Sequence, residues 1–313
     1  VYPAAVNCLA PAGTRAFCLD FKRIGFYRPE LGYAGFRPRE RPALAPADDG
    51  LWVLDLNSGD KRMVLSYADL LEWTSDSRVG AGQAEGTYIS DVAVNREGSR
   101  LALLHHTVYS RGHSHAHLIT ASVAGSRLFC VTKGRISGFS WTPDGKLLVW
   151  CGPSEGPEQA GSAGERLRLA MLRAALGFSG FWWARRHDIR SRICRYVGMR
   201  YRFFRDEYGE LDGIVPEILS SEGSVSFSPD GQHLVMDTGP DAYDMGQLGL
   251  LRVKDRRLDT LGKYLLDDDE ERGRWRGLCP HLNPRRRQVC FDSSHTGTRQ
   301  VYIMDVPEEL FRR

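Results

Sequence analysis

Apolar residues in this chain come in short runs closed by Gly, Pro, Asp or Asn, and they rarely fall at helical spacing. KLLVW at 146–150, QHLVM at 232–236, SRLALL at 99–104, LWVLDL at 51–56 and VYIMDV at 301–306 are the clearest. Short runs rich in branched and aromatic residues between turn formers predict β-strands. Many are entered through one recurring turn. Trp141-Thr-Pro-Asp-Gly145 precedes KLLVW and Phe227-Ser-Pro-Asp-Gly231 precedes QHLVM. Val94-Asn-Arg-Glu-Gly98 is a weaker copy; Leu9-Ala-Pro-Ala-Gly13 and Leu282-Asn-Pro-Arg-Arg286 are degraded ones. Pro presets φ for the turn, Asp or Asn caps it, and Gly accepts positive φ. Each copy therefore predicts a hairpin.

Further strands follow several hairpins, such as 51–56 before Asn57-Ser-Gly59 and 116–123 before Ala124-Gly125. A hairpin plus one or two strands, recurring about every 40–50 residues, predicts an all-β fold of β-propeller blades. Five blades can be placed, at 1–65, 88–132, 135–215, 222–262 and 277–306. A ring of six or seven would call for sequence upstream of Val1 or for one cryptic blade. The whole of 1–313 reads as one propeller domain with two departures. Residues 21–49 form a Pro, Gly, Arg and aromatic excursion, and 152–210 form a basic insertion. From Arg166 to Arg205 the insertion holds eleven arginines against the single acid Asp188. Leu167, Leu169, Leu172, Ala175 and Leu176 predict a helix over 166–176, behind a flexible linker at 152–165.

Composition narrows the classes. With 42% apolar and 26% charged residues the chain is globular, and a net charge of +3 gives no reason to expect nucleic acid. No apolar run is long enough for a transmembrane helix. Seven scattered cysteines without CxxC spacing argue against a disulfide framework or zinc site and lean toward a reducing, cytoplasmic setting. No signal-peptide pattern precedes the first strand.

Arg28-Pro-Glu-Leu-Gly-Tyr-Ala-Gly35, FSPDG at 227–231, Asp237-Thr-Gly-Pro-Asp241 and CFDSSHTGTRQVYIMDV at 290–306 carry a family resemblance. With these motifs the chain resembles the TolB-like propellers, and among them the oligogalacturonate lyase group. The resemblance implies β-elimination on an acidic, uronate-containing saccharide. That chemistry needs an arginine fork or a divalent metal ion on the carboxylate, a base for the adjacent proton, and an acid for the leaving oxygen. It also implies histidines where this chain has Gly138, Ser224 and Asn283, so the pattern is incomplete. The alternative is a non-enzymatic, TolB-like protein-interaction scaffold.

Candidate residues follow from both lines. His105 and His106 end a strand and must face opposite ways, so one of them could serve as base, with Tyr33 as acid. Arg23, Arg28, Tyr109 and Arg299 are candidates for binding the carboxylate or sugar, and His281 for a metal ion. His113, His115 and His117 alternate, but their Gly and Ser neighbours suggest a solvated loop. His295 and Arg299 flank a turn of the last blade, and Asp237 and Asp241 read as turn caps. The basic arm at 166–205 could cover a glycan, dock a protein partner or lie on lipid.

Overall fold

The computed structural model describes residues 4–32, 40–75, 84–109, 113–152, 198–211, 222–239, 241, 243, 245–266, 268–269, 274–275, 277–283, 285 and 287–312. They form two compact units, one of 1–136 with 205–210, the other of 137–204 with 211–313. Five antiparallel blades follow one another along the chain. In the first, β1 (Val6–Leu9), β2 (Arg15–Cys18), β3 (Gly50–Asp55) and β4 (Lys61–Ser66) lie in chain order. The second has β5 (Ala84–Val94), β6 (Arg100–Tyr109), β7 (His113–Ser122) and β8 (Phe129–Gly134). The third has β9 (Ile136–Trp141), β10 (Lys146–Cys151), β11 (Arg200–Arg205) and β12 (Gly209–Leu211). The fourth has β13 (Val225–Phe227), β14 (His233–Asp237), β15 (Met245–Arg252) and β16 (Arg257–Leu265). A short pair, β17 (Asp268–Asp269) and β18 (Arg274–Trp275), precedes the fifth blade. Among the described residues that blade has β19 (His281–Asn283), β20 (Gln288–Ser293) and β21 (Gln300–Asp305). The five blades fall where the repeated turn places them, and the fold class is an all-β propeller.

The turn works through the residue before its proline. Thr142 Oγ1 receives the Lys146 N–H at 2.9 Å and donates to Asp144 Oδ1 at 2.6 Å. Ser228 repeats this with the His233 N–H at 2.9 Å and Asp230 Oδ1 at 2.5 Å. Asn95 substitutes its amide oxygen, taking the N–H groups of Ser99 and Arg100 at 3.0 and 2.9 Å. Gly145 and Gly231 sit at φ +77° and +71°, where a side chain would be strained. The Asp thus acts one step removed, by orienting the hydroxyl that caps the returning strand.

In the first unit, blades one and two share a core that includes Phe17, Leu51, Leu65, Ile89, Leu103 and Ile119. The excursion after β2 opens with α1 (Phe21–Tyr27), an element its composition does not predict. Asp20 caps it by accepting the Lys22 N–H at 2.9 Å, and Ile24 seats it in the core at 1% exposed. A 3-10 turn at Pro29–Leu31 follows. α2 (Tyr67–Thr74) starts with a capping box between Ser66 and Asp69 and buries Tyr67 and Leu70. No described helix is long and apolar enough to cross a membrane.

In the second unit, the basic stretch gives way to blade structure earlier than its composition suggests. Residues 200–205 are β11, with Tyr201 and Phe204 buried and Arg200 and Arg205 exposed at its ends. Charge count alone cannot separate such a strand from a solvated arm. The linker at 153–165, the predicted helix over 166–176 and the stretch up to 197 lie outside the described residues. α3 (Glu309–Arg312) closes the chain, with Phe311 4.9 Å from the His233 ring. Among the described residues, Cys8, Cys18, Cys130, Cys151, Cys279 and Cys290 are not joined in disulfides.

Candidate functional site

The first unit assembles most of the candidate residues where α1 packs on β5. Arg23 is 4% exposed. Its Nε contacts Asp49 Oδ2 at 3.2 Å, Nη1 donates to the Thr87 carbonyl at 2.9 Å, and Nη2 donates to the Ala43 carbonyl at 2.9 Å. The guanidinium also lies 4.5 Å from the centre of the Tyr67 ring. All three nitrogens are therefore engaged with the protein, and Arg23 ties the excursion to the second blade.

Thr87 continues the chain of contacts. Its hydroxyl donates to the His106 carbonyl at 2.9 Å and also meets His105 Nε2. Which of the two donates depends on the tautomer of the His105 ring. His105 Nδ1 is buried without a hydrogen-bond partner among the described residues, and the side chain is fully buried. Burial, with His117 and His106 adding to it, holds the His105 pKa well below the usual imidazole value.

His106 faces the other side of the sheet, as strand alternation requires. Its ring stacks on Tyr88 with centroids 4.5 Å apart, and Tyr88 in turn stacks on Tyr27 at 5.6 Å. Nε2 lies 2.9 Å from Ser90 Oγ. Burial first, then Arg28, His117 and His115, lower its pKa to about 3. Arg28, half-buried at the end of α1, is thus close enough to His106 for its charge to act on the ring.

The alternating histidines are in a strand, which corrects the solvated-loop reading. His117 lies opposite His105 across β6 and β7 and is 4% exposed; their ring centres are 6.4 Å apart. His115 meets His117 at 4.8 Å. The sheet buries this end of β7, a tertiary effect that its Gly and Ser neighbours conceal. Tyr109 ends β6 opposite His113, partly buried. Tyr33 lies outside the described residues.

Arg299 and His281 belong to the second unit. Arg299 Nη2 donates to the Gly277 carbonyl and to Asp292 Oδ2, both at 3.0 Å, an arrangement that braces the last blade. His281 opens β19 opposite Cys290 and is exposed. Among the described residues, no group of three His, Cys, Asp or Glu side chains could hold a metal ion. Asp237 emerges as a buried staple that takes the N–H groups of Leu278 and Cys279 at 2.6 and 3.1 Å. Burial outweighs these bonds and raises its pKa to about 6. Asp241 is a turn cap, accepting the Tyr243 N–H at 2.8 Å.

The first unit also has an open cavity of about 690 Å³ where β2 meets α1. Asp20, Lys22, Asp48, Trp52 and Lys61 help to line it, with Lys61 Nζ 4.0 Å from the centre of the Trp52 ring. Its walls carry charges of both signs. No motif in the sequence marks these residues as a group.

No protein-family model and no curated protein matches this chain. Solved structures do. TolB from Acinetobacter baumannii matches with a TM-score of 0.50 at 11% identity, over 97% of this chain and 52% of TolB. The fold is a TolB-like β-propeller. The chain spans about half the length of that TolB, and identity this low establishes the fold alone. A TolB-like protein from Agrobacterium tumefaciens has a TM-score of 0.47 at 13% identity, covering 97% of this propeller and 76% of that chain. The propeller domain of the Trilobed protease from Pyrococcus furiosus has one of 0.43 at 12% identity, covering 96% and 66%.

Proposed function

We propose that this propeller is a non-enzymatic binding scaffold whose ligand is another protein, and that it does not cleave uronates. The supporting observation is the condition of the residues a lyase would need. A base must come within hydrogen-bond reach of the substrate proton and must have a pKa near the working pH. His105 is 0% exposed with Nε2 on Thr87, and His106 is 5% exposed with a pKa of about 3. A carboxylate clamp needs open guanidinium nitrogens, yet those of Arg23 are taken up by Asp49, Thr87 and Ala43. His105, His106 and Arg23 thus work as wall contacts in this reading. The run of eleven arginines against Asp188 in 166–205 favours an acidic protein partner.

The test is spectroscopic. Polygalacturonate, ulvan-like and glucuronate-capped saccharides are incubated with the protein, with and without divalent metal ions, and near-ultraviolet absorbance is followed. No unsaturated uronate is expected from any of them. A sustained rise that His106→Gln abolishes would overturn the scaffold reading and restore the lyase.

A further inference from the structure

The cavity of the first unit is built on one face of the first blade. Cys18 of β2 lies directly opposite Trp52 of β3, and Lys61 of β4 lies opposite Leu54, so Cys18, Trp52 and Lys61 share that face. A small thiol beside a large indole leaves a hollow, and the start of α1 and the Asp48–Asp49 pair help to enclose it. Its volume of about 690 Å³ falls within the range of about 300–1,000 Å³ typical of small-molecule sites. The charged side chains around it are not equally engaged. Asp49 gives one oxygen to the Gly50 N–H at 2.8 Å and the other to Arg23 Nε at 3.2 Å. Asp20 accepts the Lys22 N–H as the cap of α1. The side chains of Asp48 and Lys61 are exposed and form no ion pair with any described residue. Lys61 Nζ lies 4.0 Å from the centre of the Trp52 ring, and its charge acts on the Cys18 thiol. One open carboxylate, one open ammonium and an indole therefore line the same volume.

We propose that this cavity binds a small zwitterion with an apolar side chain, a free amino acid or a dipeptide, in addition to any protein partner of the propeller. The ligand carboxylate meets Lys61, its ammonium meets Asp48, and its side chain packs on Trp52. The lining disfavours a ligand of a single sign. Three aspartates and two lysines surround the space, so a polyanion meets net repulsion. A simple cation is drawn to the face of an indole, yet Lys61 already lies on the Trp52 ring. A zwitterion finds a partner for each of its charges, which offsets the cost of taking both out of water.

Saturation-transfer NMR on the protein compares four probes. L-phenylalanine and L-alanyl-L-phenylalanine carry both charges, N-acetyl-L-phenylalanine keeps only the carboxylate, and L-phenylalaninamide keeps only the ammonium. At least one zwitterion should bind with a Kd on the order of 1 mM, the scale for a ligand of so few atoms. The two singly charged probes should bind about tenfold more weakly, the low end for a lost charged hydrogen bond. Asp48→Asn should remove the preference over the acetylated probe, and Lys61→Gln the preference over the amide, because each variant deletes one charge. Both positions are exposed, so the far-ultraviolet CD spectrum should match that of wild type. No binding of either zwitterion up to about 10 mM, equal binding of all four probes, or unchanged preferences in both variants would each overturn the proposal.

Discussion

Arg23→Ala should destabilise the first unit by about 3–5 kcal/mol, the usual cost of removing one partner from a buried ion pair. The change leaves the Asp49 carboxylate without its guanidinium and two carbonyls, Ala43 and Thr87, without their donor. It also removes the cation from the face of the buried Tyr67 ring. Arg23→Lys should recover only part of this, since an ammonium cannot reach three acceptors in a planar fork. Urea unfolding of wild type and both variants provides the measurement, with the midpoint ordered wild type, Lys, Ala. If Arg23 were instead an open substrate clamp, Arg23→Ala would lose ligand binding and keep its midpoint.

The second large effect is acid sensitivity. A histidine whose folded pKa lies below its unfolded value of about 6.5 contributes full stability above that value. The contribution is lost as pH falls, because the unfolded chain takes up the proton that the folded protein refuses. For His106 the window runs from about 6.5 down to about 3. Within it the loss is about 1.4 kcal/mol per pH unit, near 2 kcal/mol by pH 5. His105 shifts in the same direction. Asp237 works the other way: its pKa, raised to about 6, costs stability at neutral pH, and protonation relieves that cost. The contrast with a variant therefore isolates the histidine. His106→Gln can keep a hydrogen bond to Ser90, and between pH 6 and 5 its stability should fall by about 1.4 kcal/mol less than that of wild type. Equal pH slopes would show that the ring is solvated.

The repeat was the most readable part of this sequence because its chemistry is local. The turns at 141–145 and 227–231 carry their own cap, proline and glycine, and five such turns set the blade boundaries. The opposite facing of His105 and His106 was equally legible, since it follows from strand geometry. What surrounds them was not. Arg23 meets Asp49 across 26 positions and Thr87 across 64, and no periodicity announces either partner. His117 reads as solvent-facing from its neighbours, yet the second blade buries it opposite His105. Arg200 and Arg205 end a strand that buries Tyr201 and Phe204, while their charge alone reads as part of an arm. Motif resemblance picks out polar residues, and long-range packing buries Arg23, His105 and His106 among them.

Following the imidazole resonances of His105 and His106 by NMR, from about pH 8 to about pH 5, tests the scaffold reading most directly. An ordinary imidazole is almost fully protonated at the lower limit. Both rings are expected to stay neutral throughout, and neither should shift when oligogalacturonate is added. A His106 ring that titrates near about 6.5 and moves with saccharide would mean an accessible base at a sugar site, and would contradict the assignment of these residues to the wall.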